Sequence, residues 1–433
     1  MRDEGDSTER IEISDSAETS EIDPEPAPPS PPLVPEAAAP SVRKLIAHGW
    51  VEVLQAGALG FLVLLVVGSV LVLAAKLNFP SIGRGADFLG ALNAIVIAGL
   101  GVLSVPVTFD GVTIAVLPLG ALVAAGWGVA WAVRTTIRPP QGDAGAIIRY
   151  GARVAIPFAL LCWFAALVFR IRGRHPVAAD GGATLFIAAF WGALFGIVGA
   201  LQTRRPLRDW AKALWNALRA RAPIYDEGVF AGAATFVLVM VSSAAATLLW
   251  IIISLARDAP GRYFTVGDAI AYIVYLAALL PNAVISVATV AFGSAIDVGA
   301  RLNLAGEEVG PLREYSLWAW GRGEPPGIVY ALVLIPLVAC IGGGLLARRR
   351  TPDPARMAPV LITSSAMLAT TLTLFAWFAK MRLAGIGRGG GYALVAPDVV
   401  VTFIAAFLLA GVLGAVGWKL AESNKVSRVI GRR

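Results

Sequence analysis

Residues 53–75 read VLQAGALGFLVLLVVGSVLVLAA, with no charged side chain among them. About 20 apolar residues in a helix cross the hydrocarbon core of a bilayer. A barrel strand would be half as long and would alternate apolar with polar residues. Only helices and closed barrels satisfy the backbone in lipid, so this stretch predicts a membrane-spanning helix. Comparable runs are expected at 116–134, 154–170, 183–201, 229–255, 327–347, 358–379 and 397–418. The 433-residue chain is 57% hydrophobic and 15% charged, with a mean hydropathy of +0.72. The expected fold is an all-α polytopic transmembrane helix bundle.

Two further apolar segments are weaker. Residues 86–104 are diluted by Asp87, Asn93 and several glycines, and 269–296 holds Pro281-Asn282 at its middle. A proline removes a donor from the helical ladder, so the second segment is expected to be interrupted. Charge chooses between two counts. Ten full spans with the N-terminus inside would turn Arg204, Arg205, Arg208, Lys212, Arg219 and Arg221 outward, against the cytoplasmic bias of Lys and Arg. If the two weak segments enter and return, that cluster and most other cations face the cytoplasm. The expectation is eight full spans, two re-entrant or half-spanning segments and both termini in the cytoplasm of a multi-pass cell-membrane protein. Ten spans is the alternative.

This count exposes an order. Span 53–75 is followed by a weak segment, a polar stretch and three spans, and so is 229–255. A parallel internal repeat is therefore expected. The organisation reads as a cytoplasmic tail at 1–40, a first membrane half at 41–201, an amphipathic segment at 202–228, a second half at 229–418 and a basic cytoplasmic tail at 419–433. The first 40 residues carry eleven acids and the run PEPAPPSPP at 24–32, a composition that does not bury enough apolar surface to fold. No cleavable signal peptide is expected.

Between the second and third apolar segments lies PVTFDGVTIAVLPLGAL, residues 106–122. Asp110-Gly111 between alternating residues is a two-residue hairpin signal. The register pairs Phe109 with Val112, Thr108 with Thr113 and Val107 with Ile114. A two-stranded hairpin is marginal alone, so it should pack on the outer end of the bundle as a small extracytoplasmic clasp. Residues 293–320 are its expected counterpart in the second half.

In RRPLRDWAKALWNALRAR, residues 204–221, Leu207, Trp210, Ala211, Leu214, Trp215 and Leu218 share one helical face, with Arg208, Lys212 and Arg219 away from it. Such a helix lies in the membrane interface. Arg208, Trp210, Lys212, Trp215 and Arg219 are expected to anchor it against anionic lipid, with docking of an acidic partner as the alternative.

Ionisable groups at membrane depth are costly and often functional. A polar site of Asp87, Pro281, Asn282 and Asp297 at the repeat interface would suit an ion or small solute. Against it, Asp87 and Asp398 suit helix capping. Glu52 and Glu227 begin two matched spans. Cys162 and Cys340 sit in apolar runs and His48 and His175 stand alone, so neither a metal site nor a disulfide is expected. GRGGG at 387–391 and GGG at 342–344 lack the Lys-Ser/Thr ending of a phosphate loop. No nucleophile–base pair appears, so no catalytic residue or cofactor is expected; the basic excess belongs to cytoplasmic loops, so no nucleic-acid partner is expected.

GADFLGALNAIVIAGLGVLSVPVTFDGVTIAVLPLGALVAAGW in the first half and LLPNAVISVATVAFGSAIDVGA in the second resemble an actinobacterial family of polytopic membrane proteins of undefined function. That family includes the mycobacterial cell-division membrane protein PerM. The resemblance covers about residues 45–420 and departs near 298–316, where RLNLAGEEVGPLREY is more charged. It implies a non-enzymatic role in cell division or envelope maintenance, with envelope or division proteins as partners. A small-solute or ion transporter is the second expectation.

Overall fold

The computed structural model describes residues 49–78, 88–109, 112–138, 144–171, 177–221, 223–258, 265–294, 296–304, 307–309, 312–315, 327–351, 353–386 and 391–423. The helices are α1 (Trp50–Asn78), α2 (Phe88–Val102), α3 (Leu119–Thr136), α4 (Ala144–Ala152), α5 (Ala155–Val168) and α6 (Gly181–Gln202). They continue as α7 (Leu207–Arg221), α8 (Pro223–Asp258), α9 (Val266–Ala291), α10 (Leu334–Arg350), α11 (Met357–Phe378) and α12 (Val399–Glu422). Among the described residues, eight stretches are long and apolar enough to cross a membrane. The chain is an all-α polytopic bundle and a multi-pass integral membrane protein.

Eight strands form one sheet at one end of the bundle: β1 (Val107–Phe109), β2 (Val112–Val116), β3 (Val177–Ala179), β4 (Ile296–Leu304), β5 (Glu307–Val309), β6 (Leu312–Tyr315), β7 (Met381–Ile386) and β8 (Gly391–Pro397). The order is β3-β1-β2-β7-β8-β4-β5, with β6 also on β4. The β1–β2 register is the one expected from sequence, Phe109 opposite Val112, Thr108 opposite Thr113 and Val107 opposite Ile114. The Thr108 and Thr113 hydroxyls lie 3.2 Å apart on one face.

The hairpin is not the small separate clasp expected. β3 flanks it on one side and β7 on the other. Residues 293–320 do supply strands, yet the β7–β8 hairpin lies between them and β2. Inter-strand bonding on both flanks removes the marginality of an isolated hairpin. It also ties the two halves together at β2–β7.

The sheet fixes the path of the chain. Because the strands belong to one sheet, the connections α2–α3, α5–α6, α9–α10 and α11–α12 share one side of the bundle. The start of α1 lies on the other side, where Glu52 meets Arg138 beyond the end of α3. Eight passes follow: α1, α3, α4 with α5, α6, α8, α10, α11 and α12. Both described ends, Gly49 and Ser423, fall on the face opposite the sheet.

The chain enters along α2 and along α9 and, after each, returns to the sheet side. The Asn93 amide of α2 donates to Arg170 O, beyond the end of α5 and on the sheet side, at 3.5 Å. α2 then runs down α1, its Ile95 and Gly99 against Gly68, and ends inside the bundle, where Leu103 O accepts from Trp191 Nε1 at 3.2 Å. The chain climbs back into β1. α9 begins beside Leu77 at the end of α1 and leads into β4, again on the sheet side. By length and apolarity alone α9 qualifies as a span and α3 does not; the shared sheet assigns the pass to α3. One expectation is corrected here. Pro281 does not break the segment, because α9 is continuous from Val266 to Ala291. The carbonyl that Pro281 frees, Ala277 O, faces Gly120 of α3.

The parallel repeat is present in packing and in residues. The pairs α1–α2, α1–α3, α1–α5, α3–α6 and α5–α6 have counterparts in α8–α9, α8–α10, α8–α11, α10–α12 and α11–α12. Glu52, Ala56, Gly57, Ala58 and Phe61 recur at the same spacing as Glu227, Ala231, Gly232, Ala233 and Phe236. Asn93-Ala94 recurs as Asn282-Ala283, and Asp180 with Thr184 recurs as Asp398 with Thr402. The chain leaves both returning helices through a left-handed residue, Ser104 at φ 67° and Gly293 at φ 85°. Val105 N then bonds Leu100 O, as Ser294 N bonds Thr289 O, the i to i−5 closure of a Schellman end.

Candidate functional site

The halves meet along α9, which packs on α1 and α3. Asn282 is fully buried. Its Nδ2 donates to Leu117 O at 2.8 Å and its Oδ1 accepts from Leu119 N at 3.0 Å. The amide thereby satisfies both backbone groups flanking Pro118, where the chain passes from β2 into α3. A buried peptide group left unpaired costs about 1–3 kcal/mol, so one side chain removes two such penalties.

Pro281 works with it. Lacking an N–H, it leaves Ala277 O without its helical donor. That carbonyl faces Gly120, where a Cβ would collide with it. Only glycine admits this approach, and small residues at crossings are how membrane helices pack closely. The counterparts of this face differ. Phe88 and Leu89 stand where Ala277 and Ala278 would be; they are 81% and 62% exposed. Among the described residues, this face of α2 is therefore not packed as the Ala277 face of α9 is.

The expected polar site of Asp87, Pro281, Asn282 and Asp297 lies partly outside the described residues. Asp87 lies outside them. Asp297 lies in β4, its backbone in register between Glu314 and Ala396, beyond the end of α9. The Asn282 amide is engaged by backbone on both of its polar atoms. The Asp110-Gly111 turn also lies outside the described residues, although the strands on either side fix its register.

On the face opposite the sheet, the matched glutamates do matching work. Glu52 Oε2 accepts from Arg138 N at 2.9 Å and from Tyr150 Oη at 3.4 Å. Glu227 Oε2 accepts from Thr351 Oγ1 at 2.7 Å, and its other oxygen lies 3.9 Å from Arg356. Each carboxylate ties the start of the first helix of a half to the chain leaving the third. Asp398 caps α12 through Val400 N and Val401 N, as expected. Asp180, which sequence reasoning did not single out, caps α6 through Ala183 N. The signal was available in the shared Asp-x-x-x-Thr.

α7 forms as expected. Trp210 Nε1 donates to Leu201 O at 3.0 Å, and Trp215 meets Phe230 edge-on at 6.4 Å. These contacts hold α7 to the end of α6 and the start of α8. Leu207 and Leu214 remain 38% and 75% exposed. Lys212 is exposed, and Arg208 lies 3.6 Å from Asp209. Arg219 departs from a purely lipid-facing role, because its Nε lies 3.2 Å from the buried Asp226.

No family model matches the chain, and no curated protein or solved structure matches it.

Proposed function

We propose that the protein is a structural or regulatory component of the cytoplasmic membrane that acts through contact rather than catalysis. The observation that carries this reading is the double engagement of Asn282. At the one place where a broken-helix site was expected, the polar group holds the two halves together. In a transporter of this type, unpaired backbone and side-chain groups coordinate the cargo near the midplane.

The orientation proposed puts the sheet outside and α7 in the cytoplasm. Arg204, Arg205, Arg208, Lys212, Arg348, Arg349 and Arg350 then lie on the cytoplasmic face, in keeping with the cation bias of membrane proteins. In this reading α7 rests on anionic lipid through Leu207 and Leu214, with Arg208 and Lys212 toward the headgroups. The resemblance to the actinobacterial family supports a role in cell division or envelope maintenance, with proteins of those systems as partners.

Proximity labelling from the C-terminus in the native membrane tests the role. Enrichment of division or envelope proteins, lost when α7 is replaced by a polar linker, is the expected result. Solute or ion flux in proteoliposomes, abolished by Asn282→Leu while the fold is retained, would instead establish the transporter.

A further inference from the structure

On the sheet side, α6 of the first half and α11 of the second leave an open groove of about 370 Å³. Its walls are largely aromatic and aliphatic, chiefly Phe186, Phe190, Trp191, Trp377 and Phe378, and Lys380 stands at its sheet end. Trp191 is fixed from behind by its bond to Leu103 O and by stacking on Phe195 at 5.4 Å. Its ring centroid lies 6.2 Å from that of Phe378 across the seam. Phe186, Phe190 and Trp377 are 76%, 56% and 62% exposed, so the groove opens to the surroundings of the bundle. The Lys380 ammonium lies 5.0 Å from the centre of the Trp377 ring. Among the described residues it pairs with no carboxylate.

We propose that this groove binds one anionic phospholipid of the sheet-side leaflet, with an acyl chain along Phe190 and Trp377 and the phosphate at Lys380. Charge complementarity selects the occupant. The groove ends at Lys380, which has no counter-charge among the described residues, at the level where Trp and Lys meet headgroups. An apolar wall alone would accept any acyl chain; the ammonium adds preference for a net negative headgroup. Because its walls come from both halves, an occupant would strengthen the seam and stabilise the fold by mass action. The site is separate from α7, which lies on the other face.

The test is photolabelling of the purified full-length chain in nanodiscs. Phosphatidylglycerol carrying a diazirine in one acyl chain is compared with the matching phosphatidylcholine, and adducts are mapped by mass spectrometry. Phosphatidylglycerol should label the peptides holding Phe190 and Trp377, with competition by unlabelled phosphatidylglycerol but not by phosphatidylcholine. Lys380→Gln should reduce that label about fivefold, the equivalent of one headgroup–cation attraction of about 1 kcal/mol. Lys380→Arg should retain it, and Ile187→Trp, which fills the groove, should abolish it. Equal labelling by both lipids, an unchanged Lys380→Gln variant, or adducts confined to α7 would each overturn the proposal.

Discussion

The side-chain oxygen of Asn282 accepts a hydrogen bond from the backbone N–H of Leu119, 163 residues earlier in the chain, at 3.0 Å. The same amide donates to Leu117 O. A single residue of the second half thus completes the entrance of a membrane helix in the first.

Replacing Asn282 by Leu keeps the branched shape, adds some volume and removes both bonds. Two buried backbone groups lose their partner, and a loss of about 2–6 kcal/mol is expected from their summed desolvation. Thermal unfolding in detergent measures it. The control is Asn93→Leu, at the matched position in α2. Asn93 makes a longer bond of 3.5 Å at an exposed site, so this variant should fall by about 1 kcal/mol or less.

Gly120→Val should disrupt the seam by another route, because the new side chain meets the Ala277 carbonyl. Overpacking of this kind costs about 1–3 kcal/mol. Its effect should be less than additive with Asn282→Leu, since both act on one crossing. A double-mutant cycle on melting temperature reads this out.

Gly293→Ala places a Cβ in a left-handed position and should cost about 1–2 kcal/mol. Ser104→Gly, at the matched position, should stabilise the protein by relieving the same conformation. Opposite signs for two matched substitutions would be a direct signature of the repeat, measurable by the same unfolding assay.

Glu52→Gln retains an acceptor for Arg138 N, whereas Glu52→Ala does not. The alanine variant should lose about 1 kcal/mol, and most of that should return in the glutamine variant. Glu227→Gln and Glu227→Ala should behave alike through Thr351. Hydrogen exchange at the ends of α3 and α10 is the sensitive readout.

Leu214→Asp puts a carboxylate on the exposed apolar face of α7. If that face rests on lipid, amide exchange along 207–217 should rise in nanodiscs, with the rest of the bundle unchanged. No change would mean that α7 does not use that face.

Much of this architecture was legible in the sequence. Uninterrupted apolar runs gave the passes, and the cation cluster at 204–221 separated returning segments from crossing ones. Asp110-Gly111 and the alternation around it gave the β1–β2 register. What sequence reasoning missed is non-local. Nothing in β1 and β2 announces that β7 and β3 will flank them, because strand partners are set by how the helices bring loops together. Pro281 was expected to interrupt α9 because its ladder cost is local, while the close approach of Gly120 and the backbone groups that engage Asn282 come from another half of the chain. The repeat was visible in the order of elements. Its residue matches, such as Glu52 with Glu227, gain weight only once both carboxylates are seen tying equivalent helices.

The central claim is the folded path: eight passes, two returning helices, and one sheet built on a single side by both halves. Single cysteines in a background with Cys162 and Cys340 replaced, probed in intact cells with a membrane-impermeant thiol reagent, test it most directly. Positions Thr108, Ala178 and Thr265 should react from outside, and Lys212 and Ala355 only after the membrane is opened. Labelling of Lys212 from outside together with Thr108, or protection of Thr265 while Thr108 reacts, would contradict the account.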